Sequence, residues 1–491
     1  MDIALPRAGR YRLYDGKSMG IKILKINNLI KTMRYLKKNG IRHTYYAAKE
    51  RIEDERKSDY YYREPSEETL RAQRIESAAY SELFSIVVPA YETDETFLRE
   101  MMDSVYRQSY EKWELIIADA SSSDTVERTV EQICGEKGGE RIKYTRLAEN
   151  KGISGNTNAG IALACGDYIA LLDHDDFLAP DALYHMAVAL HHARQQGTEP
   201  VLIYTDEDKY DNNSKCYTTP HNKDKLNLDL ILSNNYICHF MAVEAKLMKK
   251  LQLRSEFDGA QDYDLVLRVI GELCGLVPVQ ELAERIIHIP KILYHWRCHT
   301  DSTADNTASK TYAYEAGKTA LVDFCTAQGW SVEVDHSRHL GFYEITYLPD
   351  VLTVRKDVGI VGGRILDSRN RICAGAMKSD GGCMYEGLHR EYSGGSTHRA
   401  ALKQDVAALD IRCMQVRPEL QKEFEHITGL PYTERTIRCR KRHGSGQIRI
   451  ADVSGLSCDE AGYRKLGIEL GRAAAKQGYC VLWDPQIEIR I

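Results

Sequence analysis

The sequence predicts a multidomain α/β protein organised around a doubly wound parallel sheet, with a basic helical segment before it and a smaller α/β module after it. Three observations predict this. Apolar β-branched runs alternate with helical stretches between residues 84 and 176, residues 16–49 contain no acid, and a strand-and-helix texture returns beyond residue 336. The 491 residues are too many for one hydrophobic core, so domains are expected at 1–80, 81–335 and 336–491.

In the first segment Lys17, Lys22, Lys25, Lys31, Arg34, Lys37, Lys38 and Arg42 accompany Ile23, Ile26, Ile30 and Met33 at helical spacing. This is a basic amphipathic helix, which Gly40 is expected to end. Two uses are open: docking on the next domain with its lysines solvated, or peripheral contact between residues 16–49 and an anionic membrane. The tyrosine-rich linker "DERKSDYYYREPSEETLRAQR", partly helical, leads into the first strand.

The strands of the middle region are "FSIVVPAY", "WELIIADA", "RIKYTRL" and "DYIALLDHDD", separated by the helical "TFLREMMDSVYRQSY", "TVERTVEQIC" and "NTNAGIALACG". Such a βαβαβαβ series winds into a parallel sheet whose ligands bind beyond the carboxyl ends of the strands. Polar residues gather at those ends: Tyr91 and Glu92, then Asp119, then Asp173 to Asp176.

Three carboxylates as close as Asp173, Asp175 and Asp176 repel one another unless a cation lies among them, and oxygen donors favour Mg²⁺ or Mn²⁺. A metal held by one or two protein carboxylates usually completes its shell with phosphate oxygens, which points to a nucleotide or other diphosphate. The competing reading is that Asp175 and Asp176 cap a helix that starts near Pro180 and Asp181. In "IYTDEDKY", Asp206, Glu207 and Asp208 could form a second metal site, a substrate contact at Asp206, or a solvated turn.

A net charge of −5 argues against a general nucleic-acid binder, and no apolar run reaches bilayer-spanning length. The N-terminus lacks the apolar core of a signal peptide. The thirteen scattered cysteines read as reduced thiols without a zinc site. The expectation is a cytoplasmic protein, with peripheral association at the inner face of the membrane the further option.

Taken together, "SIVVPAYET", "WELIIADASSSD", "NKGISGNTNAGIALACGDYIALLDHDDFLAPDAL", "FDGAQDYDLVLRV" and "HIPKILYHWRCHTDST" resemble family two glycosyltransferases. These are inverting enzymes of the GT-A fold, of the kind that build bacterial surface polysaccharides. The resemblance covers roughly residues 80 to 330. It implies a nucleotide-diphosphate sugar donor, a glycan or lipid-linked glycan acceptor and a divalent metal.

It also implies roles for positions. Pro89, Ala90, Tyr91 and Glu92 would line the nucleotide, with Glu92 where the family commonly has Asn; Asp119 would hold the nucleobase; Lys151 and Asn156 would fall on the donor side, with Thr157 where the family usually offers Arg. Asp173 would touch the ribose or the metal's water, Asp175 would coordinate the metal, and His174 would point away. In "GAQDYDL" Gln261 replaces the family's Glu, and Asp262 would be the base that deprotonates the acceptor hydroxyl. Helix capping is the alternative for Asp262 and the stronger reading for Asp264. Arg297 and His299, in a pattern completed by Ser302, would stabilise the departing diphosphate, with His299 a further metal ligand.

Beyond residue 336, "ALKQDVAALDIRCMQVRPELQKEF" and "CDEAGYRKLGIELGRAAAKQGYCVLWDP" resemble stretches of the acceptor half of the preceding domain, without a DxD or nucleotide half. Either this is a degenerate GT-A-like module that shapes acceptor binding or self-association into a homo-oligomer, or it is an independent small α/β domain. Two other functions compete: a catalytically silent carbohydrate-binding relative, and a metal-dependent phosphoryl-transfer enzyme, for which no nucleophile can be placed.

Overall fold

A computed structural model of the chain describes residues 26–57, 60–298, 311–441 and 444–490. His299 and Ser302 lie outside these residues. The chain divides into two compact units, residues 1–56 and 57–491.

The first unit is built on helix α1 (Ile26–Lys57). Gly40 ends its first segment as expected, with φ 78° and ψ 170°, but a second helical segment follows at once. Met33, Ile41 and Tyr45 are each more than 60% exposed on it. No helix among the described residues is long and apolar enough to cross a membrane.

In the second unit the tyrosine linker is docked. The Tyr60 hydroxyl donates to Asp208 at 2.6 Å, and the Tyr62 ring meets His295 edge-on at 4.4 Å. Helix α2 (Glu67–Ser77) follows, its first turn capped by the Ser66 hydroxyl, which accepts the Thr69 N–H.

The expected series then appears: β1 (Phe84–Ala90), α3 (Glu95–Tyr106), β2 (Trp113–Asp119), α4 (Thr125–Lys137), β3 (Ile142–Arg146), α5 (Gly152–Leu163) and β4 (Tyr168–Leu171). These strands are parallel in the order β3-β2-β1-β4. Their apolar runs are continuous because both faces are covered. Ile86, Val88, Leu115 and Ile117 pack with α3, α4 and residues further along, while Val87 and Ile116 face the opposite core beside α5. Each such fully buried side chain contributes about 1.5–3 kcal/mol.

Beyond β4 the sheet departs from the purely parallel expectation. The elements are β5 (Phe177–Leu178), α6 (Ala182–Gln195), β6 (Leu202–Asp211), β7 (Cys216–His221), α7 (Leu228–Ile231), β8 (Met241–Glu244), α8 (Ala245–Leu251), α9 (Gln261–Leu273), α10 (Leu282–Arg285) and β9 (Ile286–Cys298). The order continues β4-β8-β6-β9-β5, with β7 on β6. Strand β8 runs antiparallel to both β4 and β6, so the sheet is mixed.

After α11 (Thr311–Ala327) a hairpin of β10 (Val332–His336) and β11 (Tyr343–Tyr347) leads through α12 (Val351–Val354) to a second sheet. Its strands β12 (Val358–Leu366), β13 (Ile372–Ala374), β15 (Gln404–Val406), β17 (Met414–Val416) and β20 (Cys480–Arg490) are accompanied by the short pair β14 (Ala376–Met377) and β16 (Ala408–Leu409), by α13 (Gln421–Thr428), by the hairpin β18 (Glu434–Lys441) and β19 (Gly444–Ala451), and by α14 (Glu460–Lys476). Strands β12 and β20 are parallel neighbours at its centre. This region meets the first sheet through buried polar contacts: Arg355 pairs with Asp229 at 3.1 Å, and Asn227 bonds the backbone of Asp405.

Candidate active site

The carboxyl ends of β1, β2 and β4 form one crevice, as the parallel register requires. At the β1 end of this crevice Pro89 and Ala90 close the strand, Tyr91 is 52% exposed, and Glu92 adopts a left-handed φ of 46°. That conformation turns the Glu92 carboxylate across to the loop after β2. It accepts hydrogen bonds from the hydroxyls of Ser122 (2.6 Å) and Ser123 (2.7 Å) and from the Ser122 N–H (2.8 Å), while the Glu92 N–H donates to Ser121 Oγ (2.8 Å). These donors, Ser122 first, bring the Glu92 carboxyl down to about 2. From the other side Arg146 donates to the carbonyls of Ser121, Ser122 and Ser123.

Asp119 is fully buried beneath this loop, its carboxylate accepting the Ser121 N–H and the Tyr144 hydroxyl, both at 2.8 Å. Lys151 is exposed and paired with Glu149. Asn156 is buried and shapes the turn into α5, accepting the Lys151 N–H at 3.0 Å and donating to Asn150 at 2.9 Å. Thr157, where the family usually offers Arg, bonds back to the Ile153 carbonyl.

The acidic stretch after β4 separates into two kinds of carboxylate. Asp173 and Asp175 are partly open to the crevice, whereas Asp176 is 1% exposed. Asp176 accepts the Arg297 N–H at 2.7 Å and the Tyr294 hydroxyl. Burial, and then Asp175 and Asp173, push it well above the usual carboxylate range. Asp176 therefore anchors the loop to β9 and does not cap the following helix.

Arg297 is turned to the underside of the same loop. Its side chain is fully buried, donating to the Asp175 carbonyl (2.6 Å) and Asn212 (3.0 Å) and pairing with Glu100 (2.6 Å) among the rings of Phe97 and Phe177. Arg297, expected as a catalytic contact, is instead enclosed in protein, and its guanidinium holds the loop after β4 in shape.

The other end of the crevice comes from α9 and the segment before β8. Asp262 sits in the first turn of α9. Burial first, and then Asp175 and Asp262 against the opposing His239, raise the Asp173 carboxyl above its ordinary range. One Asp262 oxygen accepts the Tyr263 N–H and the other the Asn235 side-chain amide, both at 2.8 Å. Gln261 accepts the Gly259 N–H at 2.7 Å and so shapes the turn into the helix. Asp264 is 1% exposed between Arg254 and Arg268, a structural role.

"IYTDEDKY" is no solvated turn. It lies inside β6, and each acid faces a histidine: Asp206 with His288 (2.7 Å), Glu207 with His221 (3.3 Å) and His239 (3.4 Å), Asp208 with His295 (2.6 Å). Asp206 is 4% exposed and also accepts the Lys223 N–H, so it does not present a substrate contact.

Two residues that sequence reasoning did not single out join the crevice. Asn235 is one. The other is His239, which stacks on Tyr294 and stands between Glu207 and Asp173, the latter at 3.7 Å. Burial alone would lower its pKa, but the Glu207 hydrogen bond and charge override this and raise it to about 10. The "NYICHF" context offered no spacing signal for either residue.

Among the described residues no three or more His, Cys, Asp or Glu side chains converge into a complete metal cage. The donor set present, two half-open carboxylates with Asp176 engaged elsewhere, fits a hard cation that takes its remaining ligands from water and phosphate.

The family model for glycosyl transferase family 2 matches residues 85–252. Similar proteins include the uncharacterized protein y4gI of Sinorhizobium fredii, 40% identical over 49% of this chain and 25% of that protein, and the O-antigen biosynthesis protein RfbC of Myxococcus xanthus, 32% identical over 55% and 20%. The chain thus spans a quarter or less of the length of these two. The putative colanic acid biosynthesis glycosyl transferase WcaA of Escherichia coli is 31% identical over 42% of this chain and 72% of its own length. The chain belongs to glycosyl transferase family 2. The parallel β3-β2-β1-β4 core continued by the antiparallel β8 is accordingly its GT-A-like sheet, and the crevice described above lies within it.

Proposed function

We propose that the chain is an inverting glycosyltransferase that moves a sugar from a nucleotide-diphosphate sugar to a glycan or lipid-linked glycan in cell-surface polysaccharide assembly. The observation that carries this reading is that one short segment before β8 touches both carboxylate systems: Asn235 bonds Asp262 of α9 at 2.8 Å, and His239 stands 3.7 Å from Asp173, which with Asp175 follows β4. Asp119 and the loop tied by Glu92 take the nucleoside. Asp173 and Asp175 hold a divalent ion, Mn²⁺ or Mg²⁺, which when bound neutralises charge on the diphosphate. Asp262 accepts the proton of the acceptor hydroxyl as that oxygen attacks the anomeric carbon from the face opposite the departing diphosphate. His299 completes this assignment as a donor to the leaving group, and residues 336–491 shape the acceptor side.

The test is a thermal-shift and hydrolysis screen of UDP-, GDP- and dTDP-sugars with and without Mn²⁺, on the wild type beside Asp175→Ala and Asp262→Asn. One nucleotide sugar should stabilise the wild type only with metal. Asp175→Ala should lose that response, and Asp262→Asn should bind but not turn over. If no nucleotide sugar binds under any condition, the reading fails.

The exposed apolar residues of α1, set in an acid-free basic segment, favour peripheral contact with the anionic cytoplasmic face of a membrane. Full-length protein should sediment with vesicles containing phosphatidylserine at low salt and be released by high salt. Failure to bind at low salt removes this part.

A further inference from the structure

A carboxylate works as a base only when one oxygen is aimed at the hydroxyl it deprotonates, and small misplacements are costly. At Asp262 one oxygen is occupied by the N–H of the adjacent Tyr263, a contact local to the helix turn. The second contact comes from 27 residues earlier in the chain, where Asn235 Nδ2 donates to Oδ2 at 2.8 Å. An amide nitrogen can only donate, so this bond fixes the plane of the carboxylate.

Asn235 is itself held. Its side-chain oxygen accepts the Cys238 N–H at 3.2 Å, and its carbonyl accepts the Cys238 thiol at 2.9 Å, with Cys238 at a left-handed φ of 41°. The segment leading into it is gripped by the C-terminal region. Asn227 and the Asp405 backbone exchange two hydrogen bonds (2.8 and 3.0 Å), Asp229 pairs with the buried Arg355 (3.1 Å), and the Tyr343 N–H donates to the Ser233 carbonyl (2.7 Å). On the far side of Asn235 the same segment continues to His239 beside Asp173.

We infer that Asn235 is a positioning residue for Asp262, presented by a segment that the C-terminal region holds in place. This rests on Asp262 being the acceptor base. Removing the amide leaves the carboxylate free to rotate about its side-chain bonds, so the effect falls on turnover and not on donor binding.

The experiment measures steady-state nucleotide release from UDP-, GDP- and dTDP-sugars in Mn²⁺ by the full chain, comparing wild type, Asn235→Ala, Asn235→Asp, Asp262→Asn and the double variant Asn235→Ala/Asp262→Asn. Asn235→Asp keeps the shape of the side chain, so it guards against a packing defect in Asn235→Ala. Both Asn235 variants should lower kcat by about 10–100-fold with the donor KM within about twofold of wild type. In the Asp262→Asn background the Asn235→Ala change should cost nothing further, because its effect passes through the carboxylate already removed. Wild-type kcat in both Asn235 variants, or an equal further loss in the double variant, overturns the positioning role while leaving the base assignment standing. Full turnover in Asp262→Asn overturns the base assignment and this inference with it. Absence of nucleotide release by the wild type from all three sugars overturns the transferase reading itself.

Discussion

Arg355 is the most exacting test of how the C-terminal region is joined to the first sheet. Its side chain is fully buried, with Nη1 between the two oxygens of Asp229 (3.1 and 3.3 Å) and 3.2 Å from the Tyr347 hydroxyl, and Nε 2.8 Å from Asp357. The guanidinium lies 4.7 Å from the Trp330 ring. Arg355→Met keeps much of the volume but strands the Asp229 carboxylate in a site where that group is 2% exposed. Breaking a buried pair from one side costs about 3–5 kcal/mol. An independent bound agrees: neutralising an ordinary carboxylate at pH 7 takes about 3 pH units at 1.36 kcal/mol each, or about 4 kcal/mol. Urea unfolding followed by tryptophan fluorescence should therefore show a loss of about 4 kcal/mol at pH 7. The loss should shrink on acidification, since protonation relieves the stranded charge. Arg355→Met/Asp229→Asn should recover most of it. A loss below about 1 kcal/mol, or one that does not change with pH, would refute the claim that this buried pair holds the seam.

Three further outcomes follow from contacts elsewhere in the second unit. Burial opposes ionisation of Glu207, but Lys223, His221 and His239 hold it well below the usual carboxylate range. Its stabilising contribution is therefore present above the ordinary glutamate pKa and lost as pH falls, so Glu207→Gln should melt lower than wild type at pH 7, with the gap closing below about pH 4. Glu92→Gln should weaken the tie to Ser122 and Ser123 and raise the donor KM with kcat little changed, read from a nucleotide-sugar titration; an unchanged KM removes Glu92 from the donor site. Gly160 lies where α5 crosses β1, and a Cβ there would stand 2.6 Å from a Val87 methyl carbon, so Gly160→Ala should cost about 1–3 kcal/mol by thermal denaturation, with Val87→Ala in the same chain restoring part of it.

The parts of the fold most legible in the sequence were those set by burial on both faces. Every residue of "WELIIAD" is buried, and its apolar run could have formed nothing else between two helical stretches. The mixed continuation of the sheet was not legible because β8 is a four-residue strand whose direction is decided by its partners. "IYTDEDKY" misled for a related reason. Three successive acids look solvent-facing until His288 and His295, more than eighty residues away, supply buried partners that no local pattern announces. The placement of Asp173 and Asp175 just after β4, and of Asp262 at the start of a helix, was readable from motif alone. The inward turn of Arg297 was not, because it depends on Glu100 and Asn212 from two other elements. Asn235 was invisible for the same reason: its importance lies in one contact with α9.

The loop after β2, tied above by Glu92 and below by Arg146, has a consequence for how a nucleoside would be admitted. Folding alone orders these serines, before any donor arrives. A ligand entering this end meets a surface of fixed shape and does not have to organise it, so little of its interaction energy is diverted into freezing backbone. Such a surface discriminates by mismatch: a base with one misplaced donor or acceptor has no yielding loop to accommodate it. Selectivity among nucleotides would then reside in rigidity at the rim.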